Sequence, residues 1–116
     1  MKHDRLDSLR PVDARPGVVR RSFSGDGATL AFTTLEPGHE AFPHAHPHEQ
    51  IEYLLAGRVR FVVGDEETIL EQGGLLVVPG GVTHYAETLG DEPALALSVF
   101  SPRRDDYTAE EAGGSA

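Results

Sequence analysis

The sequence contains no cysteine and no long apolar run. Without cysteine the chain forms no disulfide and offers no thiolate as a nucleophile or metal ligand, so we expect a reducing, cytoplasmic compartment. No apolar run approaches the ~20 residues that cross a membrane. The N-terminal residues Met1-Lys2-His3-Asp4-Arg5 also lack the apolar stretch of a secretory signal. We therefore expect neither membrane insertion nor secretion.

Positive charge is scarce as well. The chain has 19 acidic and 10 basic residues, for a formal net charge of -9. Nucleic-acid binding depends on clustered Lys and Arg that neutralise phosphates, and only the doublets 20–21 and 103–104 occur here. The composition argues against a nucleic-acid-binding protein.

The 116 residues suffice for one domain and not for two. Segments rich in β-forming residues alternate with Gly and Pro turn signals at the spacing typical of sandwiches and barrels. The predicted strands are 18–23, 28–35, 50–55, 58–63, 68–71, 75–78, 83–88 and 94–101. We predict a single all-β barrel.

This pattern divides the chain into three parts. Residues 1–17 form an N-terminal arm or edge strand, residues 18–107 form the barrel, and residues 108–116 form a flexible tail. Only the segment 106–112 has a composition that could be helical.

Four of the six histidines fall within ten residues, at positions 39, 44, 46 and 48. Residues i and i+2 of a strand point the same way, so His44 and His46 can direct two imidazoles to one point. Gln50 shares their parity, and His84 on a later strand adds a third imidazole. Such a nitrogen and oxygen set suits a divalent metal, with Zn, Mn, Fe, Ni and Co all open. The other two histidines of the cluster are interpreted as surface residues at the rim of the site.

Around these histidines the sequence resembles the cupin superfamily, which consists of small β-barrels with two short motifs. The first motif reads Gly, five residues, His-x-His, three or four residues, Glu, six residues, Gly. This chain has Gly38, His44, His46, Gln50 and Gly57 at those spacings, with Gln in place of Glu.

The second cupin motif reads Gly, five residues, Pro-x-Gly, two residues, His, three residues, Asn. This chain has Gly73, Pro79, Gly81 and His84 at those spacings and lacks the final Asn. The resemblance implies a double-stranded β-helix, or jelly-roll barrel, and a homodimer formed through the N-terminal strands and outer sheet.

The resemblance also implies the metal ligands, which are His44, His46, Gln50 and His84. Gln50 brings a carbonyl dipole where Glu would bring a charge, so the site would act as a stronger Lewis acid. Because neutral imidazoles are needed for ligation, we expect metal loss as the pH falls through the histidine range.

Two further stretches carry candidate substrate contacts. Glu52 shares the parity of the ligands and is either a general base or an exposed strand residue. The segments 44–50 and 98–107 resemble cupins that open unsaturated uronates, whose last strand carries Asp-x-Phe-x-x-x-Arg. Phe100 and Arg104 match that pattern, and Ser98 stands in place of the acid.

The likeness to these cupins implies a substrate pocket, which comprises Ser98, Phe100 and His48. Arg104 either clamps a substrate carboxylate or is a solvated member of the charged run 103–106.

Three functions remain open from the sequence. The first is a non-redox metal enzyme, an isomerase, lyase or cyclase, acting on a small oxygenated or carboxylated molecule such as a sugar acid or polyketide. Small cupins similar to this chain include polyketide cyclases. The alternatives are a metal-dependent dioxygenase and a non-enzymatic module that binds a small molecule.

Overall fold

The computed structural model describes residues 1–113, with side chains up to residue 111. Within that range the chain forms strands β1 (Val12–Arg15), β2 (Val18–Ser24), β3 (Thr29–Leu35), β4 (Glu49–Ala56), β5 (Val59–Val63), β6 (Glu66–Leu70), β7 (Leu75–Val78), β8 (His84–Thr88) and β9 (Ala94–Ser101). A short 3₁₀ helix (Leu6–Ser8) precedes β1, and helix α1 (Asp105–Gly113) follows β9. Neither helix has the length and apolar composition needed to cross a bilayer.

The strands form two antiparallel sheets. One has six strands in the order β1-β2-β3-β9-β4-β7, and the other has three in the order β6-β5-β8. Buried side chains of both sheets meet in one apolar cluster, which includes Val18 and Leu54 from the larger sheet and Val59 and Phe61 from the smaller. The all-β prediction is confirmed, and the two packed sheets form the jelly-roll barrel.

Strands β4 and β9 carry polar residues into the barrel. Successive side chains of a strand point to opposite faces, and burial alternates along both strands accordingly. The inward residues of β4 include Gln50 and Glu52. The register between β4 and β9 places Gln50 opposite Phe100 and Glu52 opposite Ser98. The two neighbouring strands therefore bring these four side chains to one place.

The N-terminal segment contains an edge strand, which is one of the two predicted alternatives, and the C-terminal segment is more ordered than predicted. The segment 1–17 contains β1, which is an edge strand of the larger sheet. Residues 108–113, expected to belong to a flexible tail, are helical, and residues 114–116 lie outside the described part of the chain. Helix α1 is tied to β2, because Glu110 pairs with Arg20 and the Thr108 hydroxyl donates to Ser24 Oγ at 2.9 Å.

Candidate metal centre

Three histidines converge inside the barrel. His46 and His84 are buried and His44 is half-buried, and one ring nitrogen from each lies within 4.8 Å of the others. His44 and His46 belong to the loop before β4, whereas His84 begins β8. The backbones of His44 and His84 pair through two hydrogen bonds of 3.1 and 2.9 Å, which bring the loop and the strand together.

Two glycines before β8 allow this approach. The Gly81 N–H donates to the His46 carbonyl at 2.8 Å. A Cβ atom on Gly80 would lie 2.4 Å from the carbonyl oxygen of Pro47, which is too close for any side chain. The Pro-Gly-Gly turn therefore packs the chain leading to His84 directly against the loop that carries His46.

Each histidine ring is oriented by a backbone carbonyl two residues away in the chain. Nδ1 lies 2.6 Å from that oxygen for His44, 3.1 Å for His46 and 2.9 Å for His84. A carbonyl oxygen only accepts hydrogen bonds, so Nδ1 carries the proton and Nε2 presents a lone pair. Among the described residues the buried His84 Nε2 has no hydrogen-bond partner.

Gln50 adds an oxygen to the three nitrogens. Its Nε2 donates to Glu52, which fixes the amide so that Oε1 faces His46 Nε2 at 2.9 Å. With the His46 proton on Nδ1, two lone pairs face each other, and a cation bound by both atoms would relieve the repulsion. Three imidazole nitrogens and one amide oxygen suit a divalent first-row metal. The side chains present fit a metal ion on these grounds.

The electrostatic environment keeps the three imidazoles neutral. Burial is the main cause that lowers the pKa of His44 and His46, and it lowers the pKa of His84 to about 4. The positive charge of Arg104 acts in the same direction on all three, whereas their hydrogen bonds to backbone carbonyls oppose it. Neutral imidazole is the form that binds a metal, so all three are ready for ligation at neutral pH.

Glu52 is a buried carboxylate beside these ligands. Its residue surface is 3% exposed, so it faces the barrel interior and not the solvent. It accepts hydrogen bonds from the Gln50 amide and from the Ser98 hydroxyl on β9. Burial raises the pKa of Glu52 to about 7, although these two hydrogen bonds act to lower it.

A cavity of about 100 Å³ adjoins the centre. Its polar lining includes His44, Gln50, Glu52, His84 and Ser98. The lining also includes Arg15, Arg20 and Tyr107, which the sequence analysis did not assign to the site.

The three additional residues come from regions that the sequence did not connect with the barrel interior. Arg15 lies on β1, in the segment that we expected to be an arm or edge strand, and Tyr107 lies on α1. Arg20 was assigned to an isolated basic doublet. The sequence contained one signal for an inward position of Arg20, because Arg20 shares its strand parity with Val18, which is buried.

Not all of the predicted pocket residues line the cavity. Ser98 and Phe100 do, whereas His48 and Arg104 are not among the lining residues. His48 instead packs against the Phe100 ring, with centroids 6.4 Å apart. Arg104 is not solvated, because its side chain is 12% exposed and its guanidinium pairs with Asp106 at 2.8 Å.

His39 has a structural position outside the centre. Its Nε2 accepts the Thr88 N–H at 3.1 Å, and its Nδ1 donates to the Glu40 carbonyl at 3.0 Å. The Nε2 bond attaches the loop before β4 to strand β8, whereas the Nδ1 bond lies within that loop.

Known proteins share this fold and sequence pattern. The chain is 35% identical over 117 residues to oxalate decarboxylase OxdC of Bacillus subtilis, across 91% of this chain and 30% of that protein. The chain thus spans less than a third of that relative. The structure of KdgF from Halomonas sp. is 29% identical with a TM-score of 0.78, and the match covers 86% of this chain and 94% of that one.

A further structure shows the fold alone. An RmlC-like cupin from Shewanella frigidimarina has a TM-score of 0.83 at 24% identity, with 92% of this chain and 96% of that chain covered. Residues 31–100, more than half of the chain, match the model of the cupin domain. The chain therefore belongs to the cupin family.

Proposed function

We propose that this chain is a metal-dependent enzyme that catalyses a non-redox reaction, an isomerisation, elimination or cyclisation, on a small oxygenated or carboxylated molecule. One observation carries the proposal. Three imidazole Nε2 lone pairs and the Gln50 amide oxygen converge beside a cavity that also holds the buried carboxylate of Glu52.

A divalent metal at the histidines would supply Lewis-acid polarisation of a substrate oxygen. The chain's own groups would do the rest. Glu52 would accept or return a proton at the atom next to that oxygen. Ser98 donates to the Glu52 carboxylate and so holds it in position. The buried Phe100 forms part of the wall that separates the reacting group from water.

The position of Glu52 supports its role in proton transfer. The terminal strand has Ser98 where the uronate-opening cupins have an acid. Glu52 lies directly opposite Ser98 in the β4–β9 register. The neighbouring strand therefore supplies a carboxylate beside the position where the acid is missing.

The size of the cavity supports a small substrate. Sites for drug-sized ligands have volumes of roughly 300–1,000 Å³, and this cavity has about 100 Å³. It would enclose a molecule of a few carbon atoms or the reacting end of a longer one. The likeness to oxalate decarboxylase, although it spans 30% of that protein, favours a carboxylated substrate.

Metal analysis of the purified protein tests the centre. We expect near-stoichiometric divalent metal in the wild type and loss of most of it in His44→Ala and His84→Ala. His3→Ala is the matched control, because His3 is exposed. Equal metal contents in the wild type and His44→Ala would overturn the proposal.

Turnover separates the non-redox enzyme from the alternatives. Small 2-oxo acids and uronates are incubated in D₂O with metal-loaded protein, with and without oxygen, and followed by NMR. We expect oxygen-independent conversion or C–H exchange that Glu52→Gln reduces about 100-fold at unchanged metal content. Strict oxygen dependence would indicate the dioxygenase, and tight binding without conversion would indicate the binding module.

A further inference from the structure

Arg15 is a fixed cation on the lining of the cavity. Its Nε donates to the Glu40 carbonyl at 3.2 Å, and its guanidinium carbon lies 5.2 Å from the centre of the Phe42 ring. The Phe42 ring in turn stacks on the His44 ring, with centroids 5.5 Å apart. This stack connects Arg15 to the metal centre and limits the directions in which the guanidinium can turn.

The charge of Arg15 is not neutralised by the described part of the chain. Other arginines near the cavity have carboxylate partners, since Arg20 pairs with Glu110 and Arg104 pairs with Asp106. Within residues 1–111 no carboxylate forms an ion pair with Arg15. Its terminal nitrogens are therefore available to an anion, and a guanidinium binds a carboxylate through two parallel N–H donors.

Tyr107 places a second donor on the same cavity. Arg20 Nη1 donates to the Tyr107 hydroxyl oxygen at 3.3 Å, which leaves the hydroxyl proton free to be donated elsewhere. The guanidinium carbons of Arg20 and Arg104 lie 4.0 and 3.8 Å from the centre of the Tyr107 ring and hold it in place. The side chain is thus positioned independently of any ligand.

We propose that Arg15, together with Tyr107, forms an anion subsite that binds a carboxylate of the substrate while another oxygen of the same molecule lies at the histidines. The substrate class is then a short carboxylic acid whose carbonyl or hydroxyl group is separated from the carboxylate by a few carbon atoms. This inference rests on the proposed function for the second contact, whereas the anion subsite itself requires no metal.

The first experiment uses metal-free protein and malonate as the probe. Malonate is titrated into wild type, Arg15→Gln, Arg15→Lys and Arg58→Gln, and the arginine Nε–H and backbone amide NMR signals are followed. Arg58→Gln is the matched control, because it removes the same charge from an arginine whose side chain is 55% exposed at the β4–β5 turn.

We expect the wild type and Arg58→Gln to bind malonate equally, and Arg15→Gln to bind it about tenfold more weakly. Arg15→Lys should restore part of the affinity, because an ammonium group keeps the charge and lacks the planar fork. The neutral compound malonamide should bind to all the variants with the same affinity. The subsite is overturned if Arg15→Gln binds malonate as well as Arg58→Gln does. It is also overturned if Arg15→Gln weakens the binding of malonamide as much as it weakens the binding of malonate. Tighter binding of methyl phosphate than of malonate would overturn the assignment to carboxylates.

Zinc titration separates this inference from the proposed function. We expect Arg15→Gln to bind zinc as the wild type does. A wild type that binds zinc but shows no Arg15-dependent malonate binding overturns the subsite alone. A wild type that binds malonate through Arg15 but no zinc supports the subsite and overturns the proposed function.

Discussion

Glu52 determines the orientation of Gln50. The carboxylate accepts the amide N–H of Gln50, so the amide oxygen turns toward His46. A glutamate at position 50, as in the common cupin motif, would place two buried carboxylates in contact, and one of them would have to bind a proton. The glutamine of this chain is therefore complementary to Glu52, and the departure from the motif has a local physical cause.

The titration of Glu52 gives a pH-dependent stability in the metal-free protein. Its pKa is raised from 4.5 to about 7 by burial, so its contribution is complete below pH 4.5 and is lost as the pH rises through 7. Glu52→Gln keeps an acceptor and removes the charge. We expect this variant to be more stable than the wild type at pH 8 by roughly 3 kcal/mol, from ~1.4 kcal/mol per pKa unit.

Urea unfolding at pH 5.5 and pH 8 in the presence of a chelator measures this difference. The lowered pKa values of the histidines act in the opposite direction, but they are common to both proteins and cancel. The exchange variant Gln50→Glu/Glu52→Gln is the control, since it keeps one amide and one carboxylate in contact and should retain the pH dependence. Parallel pH profiles for the wild type and Glu52→Gln would contradict the assignment.

At the scale of the elements, the turns decide which strands can approach each other. Gly57 joins β4 to β5 with φ +87, and a Cβ atom there would lie 2.8 Å from the Cα of Ala94 on β9. Gly90 joins β8 to β9 with a similar φ of +79, but nothing lies within 4 Å of the corresponding Cβ position. The two glycines share a backbone conformation and differ in the space around them.

Alanine at these two positions should therefore have unequal effects. Gly90→Ala has only the left-handed conformation to overcome, which costs about 1 kcal/mol. Gly57→Ala must also displace the backbone of β9, and we expect a loss of about 3 kcal/mol. Chemical unfolding of both variants measures the difference. Equal losses of unfolding free energy in the two variants would show that the close contact with Ala94 does not add to the cost of the substitution.

The strands were predictable because their residues alternate and their turns are marked by glycine and proline. The bounds of β7 and β9 agree with the sequence prediction, and β4 extends it by one residue at each end. Strand β1 was predicted only as an arm or edge strand somewhere in residues 1–17, and α1 extends the segment 106–112 by one residue at each end. Both are held by contacts with β2, such as the pairing of Val12 with Arg20, and partners distant in sequence leave no local pattern.

At the scale of the whole molecule, the larger sheet is apolar on its outer face as well. One row in register across β2, β3, β9, β4 and β7 consists of Phe23, Leu30, Val99, Ile51 and Val77. On β7 the exposed fraction is 67% for Leu75 and 53% for Val77. An antiparallel sheet with one buried face usually presents polar residues on the other, and a continuous exposed apolar surface indicates an interface.

We propose that a second copy of the chain covers this face, which would form the homodimer that the cupin resemblance implies. Leu75→Glu should then weaken dimerisation at least about tenfold, because a buried charge without a partner is costly. Sedimentation equilibrium over a range of concentrations measures this. Ile69→Glu is the matched control, since Ile69 is 47% exposed on the smaller sheet. A monomeric wild type, or equal dissociation of both variants, would contradict the prediction.

The sequence by itself predicted the candidate metal centre and the barrel. Both follow from patterns that can be read from the order of the residues alone, namely the alternation along the strands and the spacing of His44, His46, Gln50 and His84. The sequence left the role of Glu52 undecided between a general base and an exposed strand residue, because strand parity alone does not say which face of a strand is buried.

Only the tertiary structure decided how the cavity is completed. It buried Glu52 opposite Ser98, and it brought Arg15 from an N-terminal edge strand and Tyr107 from the last helix onto one lining. It also separated Arg104 from that lining by pairing it with Asp106. These outcomes depend on register and packing between segments far apart in the chain, so no local pattern of residues encodes them.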